Sequence, residues 1–182
     1  TNALLADGQI YSGGEHHLLA MEERTGDVGF GWFAGQQMTV IGDDAYAATG
    51  TVLARLDRDV YAVNSRVRHK LEVEIYDLTR LLRAEKDIEK INAIRKQIDD
   101  ANAEIRKIAD IGVIWKQETT DDASLLATPD AVFLGGRNRV TAYSADNGGV
   151  LWQSAVDGLV SGLAVSDGHL VVSTDTGRIY AF

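Results

Sequence analysis

The chain has 182 residues, of which 45% are hydrophobic and 25% charged, the composition of a globular protein large enough for one good core or two small ones. A net charge of −9 opposes any general affinity for nucleic acid phosphates. The lack of cysteine excludes disulfide scaffolds, thiolate metal sites and cysteine nucleophiles, and no run of about 18 apolar residues is present to span a membrane.

In chain order, Leu4 to Ala6 runs into an Asp7-Gly8 turn, Ile10 to Gly13 reads as a second strand and Leu18 to Met21 as a third. The turn Thr25-Gly26-Asp27 leads to a fourth, Phe30-Gly31-Trp32. Four short strands joined by tight turns are the unit of a propeller blade, and 18 glycines against one proline suit such turns. A second unit follows with Met38 to Ile41, Ala45 to Ala48 and Val52 to Ala54, and its fourth strand is expected far downstream at Gly112 to Lys116. The third unit is the cleanest: Ser124 to Ala127, Val132 to Gly136, Val140 to Tyr143, a turn at Asp146-Asn147-Gly148-Gly149, then Val150-Leu151-Trp152. A fourth begins at Gly162 to Val165 and stops after three strands, so the sequence reads as a piece of something longer, or as a half-ring. Trp115 and Trp152 are 37 residues apart, close to the roughly 40-residue period of a blade.

Between the third and fourth strands of the second unit the period changes from two to seven. Ile91, Ile94, Ile98, Ala101, Ile105 and Ile108 alternate steps of three and four, the spacing of a paired helix. Val60, Val67, Leu71, Ile75, Leu78 and Leu82 give a looser matching stripe. A single helix over 58–110 would be about 80 Å long, yet its ends must return to neighbouring strands, so a bend is expected near Ala84 to Asp87, with Asp57 and Asp87 as N-caps. The expected fold is mainly β: a partial propeller of about four blades of four-stranded antiparallel sheet, with an inserted antiparallel helical hairpin. Residues 1–57 hold blade 1 and part of blade 2, 58–110 a coiled-coil hairpin, and 111–182 the end of blade 2, blade 3 and most of blade 4. The insertion carries 12 basic and 11 acidic residues, which leaves 6 basic and 16 acidic residues, a net of −10, on the sheet part.

Repeats ending in Ile179-Tyr180-Ala181-Phe182 or Val140-Thr141-Ala142-Tyr143, the latter followed by a glycine turn and Leu151-Trp152, resemble the pyrroloquinoline quinone (PQQ) type propeller repeat of quinoprotein dehydrogenases and of the outer-membrane assembly lipoprotein BamB. More narrowly, Gly162 to Val165 with Ser173 to Tyr180 is similar to PQQ-like propellers of planctomycete-type bacteria that carry a charged helical insertion. The resemblance implies a ring of seven or eight blades in which Trp32, Trp115 and Trp152, with the turn glycines Gly26 and Gly148, lock each blade to its neighbour. It also leans towards a periplasmic or other extracytoplasmic compartment.

Little in the sequence points to chemistry. Quinoprotein dehydrogenases use a vicinal cysteine pair beside the cofactor, which this chain lacks, so neither PQQ nor its calcium ion is expected here. His16 and His17 are adjacent, and on a strand would point to opposite faces; His69 falls in the hairpin and His169 in a turn, with no metal-site spacing. The acid pairs Asp43-Asp44 and Asp121-Asp122, and Asp57 with Asp59, lack the calcium-loop pattern and read as turn and cap residues. The glycine pairs Gly13-Gly14, Gly135-Gly136 and Gly148-Gly149 open no helix and carry no P-loop Lys-Ser/Thr. The expectation is a non-enzymatic protein-interaction scaffold with the hairpin as docking arm, binding a protein partner or an adjacent domain and no nucleic acid, with self-association through open propeller edges. A segment of a quinoprotein dehydrogenase and a BamB-like assembly factor are the alternatives.

Overall fold

The computed structural model describes residues 3–13, 17–26, 31–34 and 37–182. Three antiparallel sheets follow one another along the chain. The first holds β1 (Leu4–Ala6), β2 (Gln9–Gly13), β3 (His17–Glu22) and β4 (Gly31–Ala34) in sequence order. The second holds β5 (Gln37–Ile41), β6 (Asp44–Ala48), β7 (Val52–Asp57) and β8 (Val113–Glu118), again in sequence order. Between β7 and β8 lie α1 (Arg58–Ala84) and α2 (Ile88–Ile108). The remaining strands, β9 (Ser124–Ala127), β10 (Ala131–Gly135), β11 (Arg137–Ser144), β12 (Val150–Ser166), β13 (His169–Thr174) and β14 (Ile179–Ala181), form one six-stranded sheet. The fold is mainly β and matches a partial propeller.

Two strands expected to be separate are one. Val150-Leu151-Trp152 and Gly162 to Val165 both belong to β12, whose first half pairs with β11 and whose second half pairs with β13. The stretch between them contains the pair Asp157-Gly158, which makes no hairpin here. Gly158, at φ 99°, turns the extended chain from one blade into the next without ending the strand. The inner strands β1, β5, β9 and the second half of β12 lie side by side, as the innermost strands of successive blades do.

The register repeats from blade to blade. One cross-strand row reads Thr39, Tyr46, Arg55, Trp115 in the second blade and Leu126, Phe133, Ala142, Trp152 in the third. Ser12, Leu19, Trp32 continue the pattern in the first blade, and Ala164, Val171, Ala181 in the fourth. Residues directly opposite in a sheet share a face, so in the second and third blades the row presents its side chains to the next blade.

The core is divided among the seams. Tyr11, Ala20, Ala45, Ala47 and Leu56 fill the first, with Tyr61 and Ala62 of α1 packed on it. Tyr46, Ala48, Leu53, Val132, Leu134 and Tyr143 fill the second. Val140, Val156, Val160, Leu170 and Val172 fill the third. Alternation along each strand supplies two seams at once: Val132 and Leu134 point back to blade 2, and Phe133 between them points forward to blade 4.

The helices start at the two aspartates. Asp57 accepts from Val60 N–H, and Asp87 accepts from Glu89 N–H and Lys90 N–H. Glu85, Lys86 and Asp87 make the turn without Gly or Pro, because the Glu85 carboxylate accepts the N–H groups of Lys86 and Asp87. The α2 stripe faces α1 as its spacing requires, with Ala101 the fully buried member. The α1 stripe departs from expectation at its start. Val60 and Val67 are exposed, and Asn64 turns inward and donates to Ile108 O at 2.7 Å. The first two turns of α1 are committed to the sheets through Arg58, Tyr61 and Ala62. That commitment rotates the two valines to the outside.

Candidate functional site

Three regions concentrate specific geometry: the blade 2–blade 3 seam, a hollow lined from both blades, and the root of the helix pair.

At the seam, the Trp115 indole Nε1 donates to Ala145 O at 2.8 Å, and Arg55 Nη1 donates to the same carbonyl at 3.0 Å. Ala145 lies in the turn after β11 of the next blade, so one carbonyl takes two donors from across the seam. Gly148 closes that turn at φ 73°, and a Cβ there would stand 2.7 Å from the Trp115 ring. The approach therefore requires glycine twice, for conformation and for space. Arg55 is held by Asp44 at 2.6 Å, and this hydrogen bond raises its pKa further despite partial burial. Beside it, Tyr46 packs its ring 6.0 Å from Trp115, and burial raises the Tyr46 phenol above its ordinary value.

Trp152 repeats part of this arrangement. Its ring lies 6.3 Å from Phe133 of its own blade, as Trp115 does from Tyr46, and 5.4 Å from Phe182 of the fourth. Trp32 stands on β4 opposite Leu19, but its side chain lies outside the described residues. Gly26 has the same φ as Gly148, 73°, and among the described residues a Cβ there would meet nothing within 4 Å, unlike one at Gly148.

The hollow, of about 640 Å³, is lined by Thr51, Val52, Glu118, Thr119, Thr120 and Arg139. Arg139 Nε donates to the buried Asp121 carboxylate at 2.6 Å and its Nη2 to Thr120 Oγ1 at 2.7 Å. Asp121 raises the Arg139 pKa through that hydrogen bond. A Cβ on Gly136 would collide with Asp121, so Gly136 keeps the space this pair needs. Asp121 thus ties the segment between β8 and β9 to the third blade, a role its position beside Asp122 does not reveal.

At the root of the helix pair, Asp59, Val60, Val63, Asn64, Val67 and Ile111 line an open groove of about 430 Å³. Val60 is 44% exposed, Val63 59%, Val67 47% and Ile111 45%. These four line one groove at the arm's root, while Val73, Tyr76, Leu81 and Ile88 are exposed farther along the arm. Arg58 anchors the root, only 6% exposed and bound to Asp7 of the first blade at 2.6 Å. Nearby Tyr11 is fully buried, and burial raises its phenol above the ordinary value.

The remaining candidates do not converge. His16 lies outside the described residues, as do Gly14, Asp27 and Phe30, and the side chain of His17 is also outside them. His69 on α1 lies 3.9 Å from Glu72. His169 opens β13 instead of sitting in the turn, which is Asp167-Gly168. Asp44 and Asp121 are each bound to an arginine, and Asp57 caps α1. Among the described residues no three histidine, aspartate or glutamate side chains gather as metal ligands would, and no helix is long and apolar enough to cross a membrane.

Comparison with known proteins agrees with this geometry. Residues 105–182 match the sequence family described as outer membrane protein assembly factor BamB. Over those residues the chain is similar to the PQQ-like propeller repeat. The crystal structure of BamB from Moraxella catarrhalis superposes with a TM-score of 0.56 at 10% identity, covering 98% of this chain and 41% of that one. The computationally designed Ika4 protein superposes with a TM-score of 0.60 at 9% identity, covering 99% of this chain and 88% of that one. At such identities the likeness is one of fold. The chain spans about 41% of the length of the BamB structure. No curated protein sequence matches it. These matches carry the repeat class and not the narrower likeness to planctomycete-type propellers.

Proposed function

We propose that the chain is a non-enzymatic interaction segment of a PQQ-like propeller and that the helix pair, residues 58–110, is its docking arm. The observation that carries this reading is the exposed strip of Val60, Val63, Val67 and Ile111 at the arm's root. Val60, Val63 and Val67 recur at i, i+3 and i+7, the spacing at which one helix receives another. The sheet part beside the groove has a net charge of −10 and Asp59 is on the rim. The partner suited to this site is therefore an amphipathic protein segment with an apolar face and basic flanks. Within the disc, Trp115 and Trp152, with Gly148, serve as blade locks, and no cofactor enters the reading. Trp32 takes the same role in the first blade.

A photoreactive residue in place of Val63 tests the arm in cells. It should give a discrete protein adduct that Val60→Asp combined with Val67→Asp removes, while the melting of the sheets is unchanged. If the same probe at exposed Leu151, on the disc, gave the same adduct, the arm would have no special role.

The match of residues 105–182 favours a second reading, that of a BamB-like factor acting on outer membrane proteins. Binding of an unfolded outer membrane β-barrel protein to the chain, measured by titration, checks it. A response no greater than that to an unfolded protein of another class would remove it.

A further inference from the structure

We propose that the groove at the arm's root receives the tip of α1 from a second copy of the chain, so that two α1 helices pair antiparallel. The inference rests on the docking-arm reading and names the occupant of that site. Val60, Val67, Glu74 and Leu81 recur at intervals of seven along α1, and Val63, Lys70 and Asp77 each follow three residues after one of them. That is the pattern of a heptad seam, and all seven residues are exposed. It is separate from the stripe of Leu71, Ile75, Leu78 and Leu82, whose members are half-buried.

The charged positions in the middle of the seam decide both occupant and direction. In an antiparallel pair with its two-fold axis beside residue 72, Lys70 of each copy meets Glu74 of the other, and Val63 meets Leu81. Val67 then lies against Leu78, and the exposed Val73 side chains of the two copies meet across the axis. Parallel pairing would instead set Lys70 against Lys70 and Glu74 against Glu74, like charges facing each other in a seam. Among the described residues neither Lys70 nor Glu74 is in an ion pair within its own chain.

The ends of the helix complement each other as well. Leu81 stands exposed at the tip among Arg80, Arg83 and Lys86, which are exposed too. These are the apolar face and basic flanks suited to a groove rimmed by Asp59, beside a sheet part of net charge −10. Pairing over residues 60–84 extends for about 36 Å. Each copy supplies one root and one tip, so the contact closes on itself as a two-fold dimer.

Because the chain has no cysteine, introduced thiols report this register alone. Val73→Cys should give a disulfide-linked dimer under mild oxidation. Val63→Cys mixed with Leu81→Cys should form the mixed disulfide about 10-fold faster than either variant links to itself. In sedimentation up to about 100 μM the unaltered chain should be a reversible dimer. Lys70→Glu should weaken that dimer about 10-fold or more, and Glu74→Lys added to it should restore the affinity. A chain monomeric throughout that range overturns the proposal, as does Val63→Cys linking to itself as readily as to Leu81→Cys, or a double exchange that restores nothing. If one of these results comes while the photoreactive residue in place of Val63 still gives an adduct with a different protein, the docking arm stands and only this occupant is lost. Loss of that adduct as well removes the arm reading with it.

Discussion

The blade seams and the helix pair bury their side chains in different ways. In the seams each strand is covered on both faces, and residues such as Leu53, Val132 and Leu134 are wholly inaccessible. In the arm each helix has one neighbour, its stripe is half-buried, and beyond the first turns of α1 only Ala101 is buried. Cohesion in the seams comes from contacts between residues distant in sequence, whereas in the arm it comes from local helix structure and its caps. The disc is consequently the part whose side chains are enclosed, and the arm the part whose apolar surface stays open to solvent.

The largest expected difference is in core truncation. Leu134→Ala should cost about 2–5 kcal/mol in chemical denaturation, while Ile94→Ala, half-buried in the arm, should cost about 1–2 kcal/mol. Equal losses would mean that the arm is packed as tightly as the disc. Next is the Trp115 lock: Gly148→Val adds a Cβ against the indole at a positive φ and should cost about 1–3 kcal/mol. The same change at Gly26 meets open space and should show only the smaller conformational penalty of about 1 kcal/mol. A cap change should stay local. Asp87→Ala should cost α2 about 1 kcal/mol, seen as faster hydrogen exchange over its first turn with seam amides unaffected.

The smallest effects concern pH, and they have opposite signs. Tyr11 and Tyr46 sit in seams and their folded pKa values are raised above 10.0 by burial. Their contribution is complete below pH 10 and is lost as pH rises through the folded values. Glu85, at the arm's tip, has its pKa lowered from 4.5 by the backbone N–H groups of Asp87 and Lys86. Its contribution is present above 4.5 and lost as pH falls through the lower folded value. Far-ultraviolet and aromatic circular dichroism followed in both directions should show the seams yielding first in alkali and the helix turn loosening in acid.

Much of the architecture was readable because it is written in local chemistry. Asp-Gly and Gly-containing turns marked strand pairs, the spacing of Ile91 through Ile108 marked a helix face, and Asp57 and Asp87 marked helix starts. What escaped is set by contacts between residues far apart in sequence. The stripe on α1 looked continuous from Val60, yet burial of Tyr61 and Ala62 against the sheets turned Val60 and Val67 outward. Asp121 next to Asp122 looked like a turn acid, and only the fold brings Arg139 to it. Arg55 and the Ala145 carbonyl carry no signal in the sequence, since a main-chain acceptor is the same at every residue. The continuity of β12 was hidden because the stretch from Gln153 to Ser161 follows no apolar alternation of its own.

The helix pair also bears on the order in which the molecule assembles. Residues Asp57 and Val113 must meet for β7 to pair with β8, and roughly 55 residues of coil between them would make that meeting slow and entropically costly. Helices joined by a three-residue turn form from neighbouring residues, and once closed they bring the two strand ends within reach of one another. Shortening the effective loop from roughly 55 residues to about 4 is nearly four halvings, or about 2 kcal/mol of closure entropy. The arm is thus an internal clamp for its own blade, and the second blade should mature only after the helices have zipped.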